Sequence, residues 1–131
     1  KVSFCILGDE KAVSEAIEHE LGTYGKVRRI AGNNRLETSA LIAEDCFENP
    51  TEAIIAYGWD FPDGLCSGPL AAVIGAPVLM AYTGLEEVTM KYAQKVGIHD
   101  GYVTGGTDKI TDASVRKILH LSADVTIAAK Q

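Results

Sequence analysis

The fold is decided by the stretch from Ala53 to Ala81, which reads AIIAYGWDFPDGLCSGPLAAVIGAPVLMA. Its two apolar runs, Ala53–Ala56 and Val78–Ala81, are too short for free-standing helices and lack polar alternation, as is typical of strands covered on both faces. We predict that both runs are central strands of a parallel sheet. Ligands of open α/β sheets bind beyond the carboxyl ends of strands. The loop after the first run, which holds the only Trp and two carboxylates, is therefore the first candidate site.

Strand-like and helical segments alternate on both sides of this stretch. The sequence predicts further strands at Lys1–Leu7, Lys26–Ala31, Gly101–Thr104 and Asp124–Ala128, with helices between them. Alternation of this kind indicates βαβ units with parallel strands. The predicted fold class is α/β: a three-layer α/β/α domain with a mainly parallel sheet.

Capping signals predict where the helices begin and end. Two of the predicted N-caps, Asn34 and Thr83, precede a Glu by three residues, which is the capping-box spacing. Gly22 is expected to end the first helix. Pro69 removes a hydrogen bond from the third helix, so that this helix either kinks or restarts there. The full set of predicted N-caps is Ser14 or a residue just before it, Asn34, Thr83 and Thr111.

Composition narrows the class of partner. The chain has 131 residues, a formal net charge of −6 and a pI near 5.0, which fits one domain. No run of Lys or Arg exceeds two residues, so we expect no nucleic-acid binding. No stretch approaches the ~20 apolar residues that cross a bilayer, so we expect no membrane span. A start at Lys1 is compatible with a removed initiator or signal peptide.

Cysteine and histidine usage gives weaker indications. Cys5, Cys46 and Cys66 stand far apart with no Cys-x-x-Cys pair, and we expect them to be buried free thiols. That pattern favours a reducing compartment, although a surface protein from an organism that forms few disulfides would show it too. The three histidines lack an i, i+4 partner and a nearby Cys, so no zinc site is predicted.

The two ends of the chain resemble each other. Ile6–Asp9 aligns with Val103–Gly106, and the helix start at Val13–Ala16 aligns with Ile110–Ala113. The period is that of a long repeat, although any two βαβ units look broadly alike. We predict a single domain, 1–131, in which residues 1–27 are the tail of a preceding repeat copy packed with 28–131 as one full repeat.

Three blocks of sequence together resemble the type 2 cell-wall-binding repeat. The first contains Arg29–Ser39, the second Ala56–Leu65 with Gly68–Ala72 and Ala76–Met80, and the third Val103–Gly106. Three features depart from the family pattern: a single full copy, the presence of cysteines, and Pro-Val-Leu-Met at residues 77–80 in place of Pro-Ile-Leu-Leu.

The resemblance implies a non-catalytic module that anchors a surface protein of a Gram-positive bacterium to anionic cell-wall polymers. Family repeats usually occur three in a row beside a separate effector domain. Tandem neighbours or a homo-oligomer are therefore the expected protein partners, and the cell surface is the expected location. No cofactor is expected.

An anion site is predicted at the start of the second helix. Arg29 and Arg35 flank a Gly-Asn-Asn turn at a helix N-terminus, where two guanidiniums could clamp a phosphate or carboxylate. In this mechanism Asp63 positions an Arg or accepts sugar hydroxyls, and the segment 77–80 supplies an inner strand. Alternatively, Arg35 pairs with a nearby carboxylate and only ties the turn to the next loop. The predicted ligand-binding residues are Arg29, Arg35, Glu37, Thr38, Asp60 and Asp63.

The loop after the central strand leaves other interpretations open. Asp60 and Asp63 could be a metal or acid/base pair, but capping or arginine pairing is the more ordinary role. Trp59 and Phe61 could stack on a sugar face or form a subunit contact. The rival hypothesis is a small cytosolic α/β enzyme or nucleotide-binding domain that uses this loop and the Gly105-Gly106 turn. We predict no catalytic residue and no metal.

Overall fold

The computed structural model describes residues 2–128, in which strands and helices alternate strictly along the chain. The alternation confirms the predicted α/β class. The elements are β1 (Val2–Leu7), α1 (Glu15–Tyr24), β2 (Gly25–Ile30), α2 (Arg35–Cys46), β3 (Glu52–Tyr57), α3 (Phe61–Ile74), β4 (Val78–Ala81), α4 (Glu87–Val96), β5 (Asp100–Thr104) and α5 (Asp112–Leu119).

The strands form two parallel sheets. In the first, β1 pairs with β2 from Val2–Gly25 to Leu7–Ile30. In the second, the strand order is β4-β3-β5, and Ile54 stands opposite both Val78 and Tyr102. Parallel pairing is as predicted, but no described strand joins the two sheets into one.

Only one of the two apolar runs is a central strand. β3 has hydrogen-bonded neighbours on both edges, whereas β4 pairs with β3 alone and lies at an edge of its sheet. The prediction that residues 77–80 supply an inner strand is therefore wrong for the described residues. An apolar run reports that both faces of a strand are covered, and it carries no information about its edges.

Helices cover both faces of the three-stranded sheet, as a three-layer fold requires. Ala53, Ile55 and Tyr57 point to one face, where they pack in a core with residues of α2, α4 and α5. The alternate residues of the three strands point to the other face, which α3 covers. There the Ser67 hydroxyl of α3 lies 2.8 Å from Thr104 Oγ1 at the end of β5. α3 runs unbroken through Pro69. It approaches β4 closely at Gly64, where a Cβ atom would lie 2.8 Å from Met80 Cε.

Some predicted boundaries differ from the structure. α1 continues past Gly22 to Tyr24, because a glycine lowers helix propensity without forbidding the conformation. Ser14 occupies the N-cap position of α1 but makes no side-chain capping bond. Thr83 does not cap α4, since its hydroxyl donates to the Lys109 carbonyl instead. The capping bonds predicted for Asn34 and Thr111 are confirmed.

Two predictions at the chain ends and on the surface also change. Residues 124–128 form no strand. There the carbonyl of Val125 accepts a hydrogen bond from Arg116. Lys1 and residues 129–131 lie outside the described part of the chain.

The three cysteines are free thiols but are exposed rather than buried, because they lie on strand and helix faces that no described element covers. Within residues 2–128, no helix is both long enough and apolar enough to cross a bilayer.

Candidate functional site

A groove of about 410 Å³ lies at the carboxyl ends of β1 and β2. This is the end of a parallel sheet at which ligands bind. The turn after β1 forms one wall and the start of α2 forms the other. We call it the α2 groove, and its polar and backbone lining includes Gly8, Asp9, Asn33, Asn34, Arg35 and Thr38.

Two of the predicted ligand residues hold the turn that forms the second wall. Glu37 Oε2 accepts hydrogen bonds from the backbone N–H and the side-chain amide of Asn33, both at 2.7 Å. Thr38 Oγ1 accepts from the Gly32 N–H and donates to the Asn34 carbonyl, both at 2.9 Å. The Glu therefore reaches one residue further back than a standard capping box does. Both side chains fix the shape of the turn.

Arg29 is engaged within its own chain. Its Nε and Nη2 donate to Glu18 Oε2 at 2.9 and 2.6 Å, and its Nη1 donates to the Gly8 carbonyl at 2.7 Å. The side chain is only 16% exposed. This geometry ties α1 and the turn after β1 to β2. The two arginines therefore differ in surroundings, and the described structure holds no clamp built from both.

Arg35 has a different environment. It is exposed, its Nη1 donates to the Gly58 carbonyl at 3.0 Å, and its Cζ lies 5.4 Å from the centre of the Trp59 ring. Within residues 2–128 it forms no ion pair, so the alternative of pairing with Glu37, Asp60 or Asp63 is not found there. Arg35 does tie the turn to the next loop, but through a carbonyl, and most of its donors remain available.

The two aspartates of the loop have separate structural roles. Asp60 caps α3 by accepting a hydrogen bond from the Phe61 N–H at 2.9 Å, which confirms the capping interpretation. Asp63 lies against the turn after β5. A Cβ atom on Gly105 would be 2.8 Å from its Oδ2, so a side chain there would collide with the carboxylate. Neither aspartate pairs with an arginine in the described part of the chain.

The structure adds aromatic neighbours that the sequence did not indicate. Trp59 stacks on Tyr82 with ring centres 5.6 Å apart and planes 26° apart, and Tyr82 lies 5.7 Å from Tyr57. Arg35 lies over the Trp59 ring, and Lys109 lies over the Tyr57 ring with its Nζ 5.3 Å from the ring centre. We call Tyr57, Trp59 and Tyr82 the aromatic row. The signal available in the sequence was position: each of these residues ends or follows one of two adjacent parallel strands.

Comparison with known proteins identifies the family. The model of cell wall binding domain 2 (CWB2) matches residues 29–115, more than half of the chain, and this range includes the turn of the α2 groove and the aromatic row. The chain belongs to the cell wall binding domain 2 family. The resemblance drawn from the sequence blocks is thereby confirmed. CWB2 domains are binding modules, and membership points to the cell wall or cell surface.

Individual relatives agree with this assignment. The chain is 30% identical over 115 residues to the N-acetylmuramoyl-L-alanine amidase LytC of Bacillus subtilis, covering 86% of the chain and 23% of the amidase. It is 37% identical over 75 residues to the amidase enhancer of the same organism, covering 57% of the chain and 10% of that protein. The chain thus spans less than a quarter of either relative.

Solved structures show the same architecture. Cwp6 from Clostridium difficile superposes with a TM-score of 0.75 at 26% identity, over 88% of this chain and 20% of that one. Cwp8 from the same organism gives 0.69 at 25% identity, over 88% and 19%. These CWB2 relatives share the α/β fold of this chain.

Proposed function

We propose that this CWB2 module anchors a secreted protein, without catalysis, to an anionic polymer of a Gram-positive cell wall. The observation that supports the proposal is Arg35, an exposed guanidinium on the α2 groove that forms no ion pair within residues 2–128. Guanidinium groups bind phosphates and carboxylates through paired hydrogen bonds. In this proposal Arg35 is the principal anion ligand.

The start of α2 contributes less than the arginine does. A helix N-terminus attracts anions through its free N–H groups and its dipole. Here the Asn34 side chain already accepts from the N–H groups of Leu36 and Glu37, each at 2.9 Å. The dipole remains, but two of the N–H groups are occupied. Most of the anion binding is therefore assigned to the Arg35 side chain.

The other predicted ligand residues take supporting roles in this mechanism. Glu37 and Thr38 hold the turn that presents Arg35, and Arg29 holds the opposite wall through Gly8. Asp60 caps α3 and Asp63 lies in the first turn of that helix, where carboxylates can accept hydrogen bonds from sugar hydroxyls. One arginine thus binds the anionic group of the polymer, and the remaining residues shape the groove or bind neutral groups.

The overall charge makes the proposed attraction local. A chain of net charge −6 repels an anionic polymer at long range, so binding depends on short-range contacts at one or two cations. Screening by salt acts on both effects. The salt dependence of binding should therefore be shallow, in contrast to that of a basic polymer-binding protein.

The proposal is tested by co-sedimentation with purified Gram-positive walls, before and after chemical removal of their anionic polymers. We expect the bound fraction to fall strongly on the stripped walls. Arg35→Ala should lower the affinity for intact walls roughly tenfold, the effect of losing one charge-assisted contact.

Lys26→Ala is the matched control for the charge change. Lys26 is exposed, forms no ion pair within residues 2–128, and lies near the amino end of β2, away from the groove. Its loss should leave binding unchanged. Equal binding to intact and stripped walls would refute an anionic ligand, and equal effects of the two substitutions would remove Arg35 from the mechanism.

The repeat pattern supports a related proposal on assembly. The sequence of residues 1–27 resembles that at the other end of the chain, where β5 and α5 repeat the order of β1 and α1, and we assign these residues to the tail of a preceding copy. Several copies acting together would raise avidity without new contacts. Size-exclusion chromatography with light scattering tests whether this chain self-associates. A monomer at every concentration would restrict multivalency to tandem copies within one polypeptide.

A further inference from the structure

The aromatic row forms because two parallel strands end side by side. Tyr57 closes β3 opposite Ala81, and Tyr82 follows directly on β4. Trp59, two residues beyond β3, then stacks on Tyr82. Offset stacking and cation–π contacts each stabilise such an arrangement. The rings are therefore held in place before any ligand arrives.

The polar atoms of the row have no partner in the described protein. None of residues 2–128 forms a hydrogen bond with the Trp59 indole N–H or with the hydroxyls of Tyr57 and Tyr82. Neither tyrosine hydroxyl is a fully buried unpaired atom, although Tyr57 as a whole is only 8% exposed. Trp59 itself is 53% exposed. The exposed part of Trp59 therefore offers apolar ring surface beside three hydrogen-bonding groups that have no partner within residues 2–128.

A cation lies at each end of the row. Arg35 Cζ is 5.4 Å from the Trp59 ring centre, and Lys109 Nζ is 5.3 Å from that of Tyr57. The nearest carboxylate to Lys109 is that of Asp108 at 3.9 Å, an exposed and long contact that competes weakly for the ammonium. Along the row, a positive charge at each end therefore flanks a neutral aromatic surface.

We infer that the aromatic row is a saccharide subsite that takes a sugar unit carrying a phosphate or a carboxylate. In this arrangement the sugar ring packs against the part of Trp59 that Tyr82 and Arg35 leave exposed, its hydroxyls bond to the tyrosine hydroxyls, and its charged group binds Arg35 or Lys109. The inference deepens the proposed function, on which it rests, by naming the chemistry of the polymer unit. A simple anion site would need no aromatic surface, and a neutral sugar would need no cations.

The subsite can be observed directly, because Trp59 is the only tryptophan of the chain. The intact chain is titrated with N-acetylglucosamine 1-phosphate, glucuronic acid, N-acetylglucosamine and inorganic phosphate while tryptophan emission is recorded. We expect a saturable change with one of the charged sugars, a change at least tenfold weaker in affinity with the neutral sugar, and none with phosphate. The comparison of the two charged sugars identifies the anionic group. No change with any sugar would overturn the inference, as would an equal response to inorganic phosphate.

Paired variants separate the subsite from the wider proposal. Trp59→Ala removes the most exposed ring of the row, whereas Phe61→Ala removes an aromatic side chain that is even more exposed and lies outside it. Wall affinity should fall roughly tenfold for the first and stay unchanged for the second. Circular dichroism melts of both variants check that the fold survives, and Trp59→Phe should recover part of the binding.

The outcomes of the two proposals are distinguishable. Equal binding by the Trp59 and Phe61 variants would overturn the saccharide subsite, while a loss of binding on stripped walls would still support an anionic polymer. Conversely, binding that survives stripping but falls with Trp59→Ala would refute the claim that the ligand is an anionic polymer. It would also refute the claim that the subsite binds a charged sugar.

Discussion

The two sheets of the molecule bury their apolar side chains to very different extents. Around β3, the side chains of Ile54, Ile55 and Leu79 are fully buried between helices. In the β1-α1-β2 unit, α1 contains no buried residue at all. Four large apolar side chains of that unit remain 47–69% exposed: Val2, Leu7, Ile17 and Tyr24. The same alternation of strand and helix thus produces a dense core in one region and a thinly covered sheet in the other.

The difference shows which interactions hold each region. Burial of apolar surface stabilises the β3–β5 region, at roughly 25 cal/mol per Å². The β1-α1-β2 unit gains less stability from apolar burial. It depends more on the backbone hydrogen bonds between its strands and on the polar contacts of Arg29. It carries one wall of the α2 groove, so the proposed site lies where the two kinds of region meet.

The largest expected effect is that of Ile55→Ala. This side chain is fully buried in the core cluster, and its truncation should lower the free energy of unfolding by about 3–4 kcal/mol through lost burial and a residual cavity. Urea denaturation measures the change. Ile17→Ala on α1 is the matched control and should cost under about 1 kcal/mol, because its side chain is already 47% exposed. Similar losses would mean that the two regions are equally dependent on burial.

A polar network inside the dense region should make that region sensitive to acid. Burial disfavours the charged form of Glu86, but hydrogen bonds from Ser114 Oγ at 2.5 Å and the Gly84 N–H at 2.8 Å, with Lys117 nearby, outweigh it. The pKa falls from an ordinary 4.5 to about 2. The unfolded chain therefore binds the proton more readily, and the carboxylate stabilises the fold fully above about pH 5.

This contribution, about 3 kcal/mol, should be lost as the pH falls from about 5 to about 2. Urea midpoints of the wild type and of Glu86→Gln, taken at pH 7, 4 and 3, isolate it from other titrating groups. The two proteins should differ most at pH 7 and converge toward pH 3. A difference that stays constant over this range would show that the carboxylate is not the stabilising form.

The fold was predictable from the sequence where local signals decide the structure. Apolar runs and capping residues predicted the alternation of elements, including the caps at Asn34 and Thr111. The pairing between strands was harder to predict from the sequence. The apolar character of β4 reports its covered faces, and its edge position depends on which other strands are present.

The candidate site was predictable only in part, for a related reason. The turn at residues 32–38 was visible because its residues are close in sequence. The aromatic row was missed because Trp59 and Tyr82 meet only through the parallel pairing of β3 and β4. The ion pair of Arg29 was missed as well, since no spacing rule links a residue on β2 to Glu18 on α1. Both depend on how elements pack, and neither follows from periodicity.

Removal of that ion pair gives the smallest effect but the sharpest test of the contrast between the regions. Arg29→Met keeps the aliphatic stem while it removes the contacts to Glu18 and Gly8, and it should cost about 1–2 kcal/mol because the pair is partly screened by solvent. Amide hydrogen exchange should quicken in β1, α1 and β2 and stay unchanged in β3, since regions with few buried contacts open independently. Arg28→Met is the control on the same strand, because Arg28 pairs with Asp45 on the exposed surface and should leave exchange unaltered. Faster exchange throughout the chain of the Arg29 variant would mean that the thinly covered sheet and the dense core unfold as one unit, in which case the polar contacts of Arg29 stabilise the whole module and not only one wall of the α2 groove.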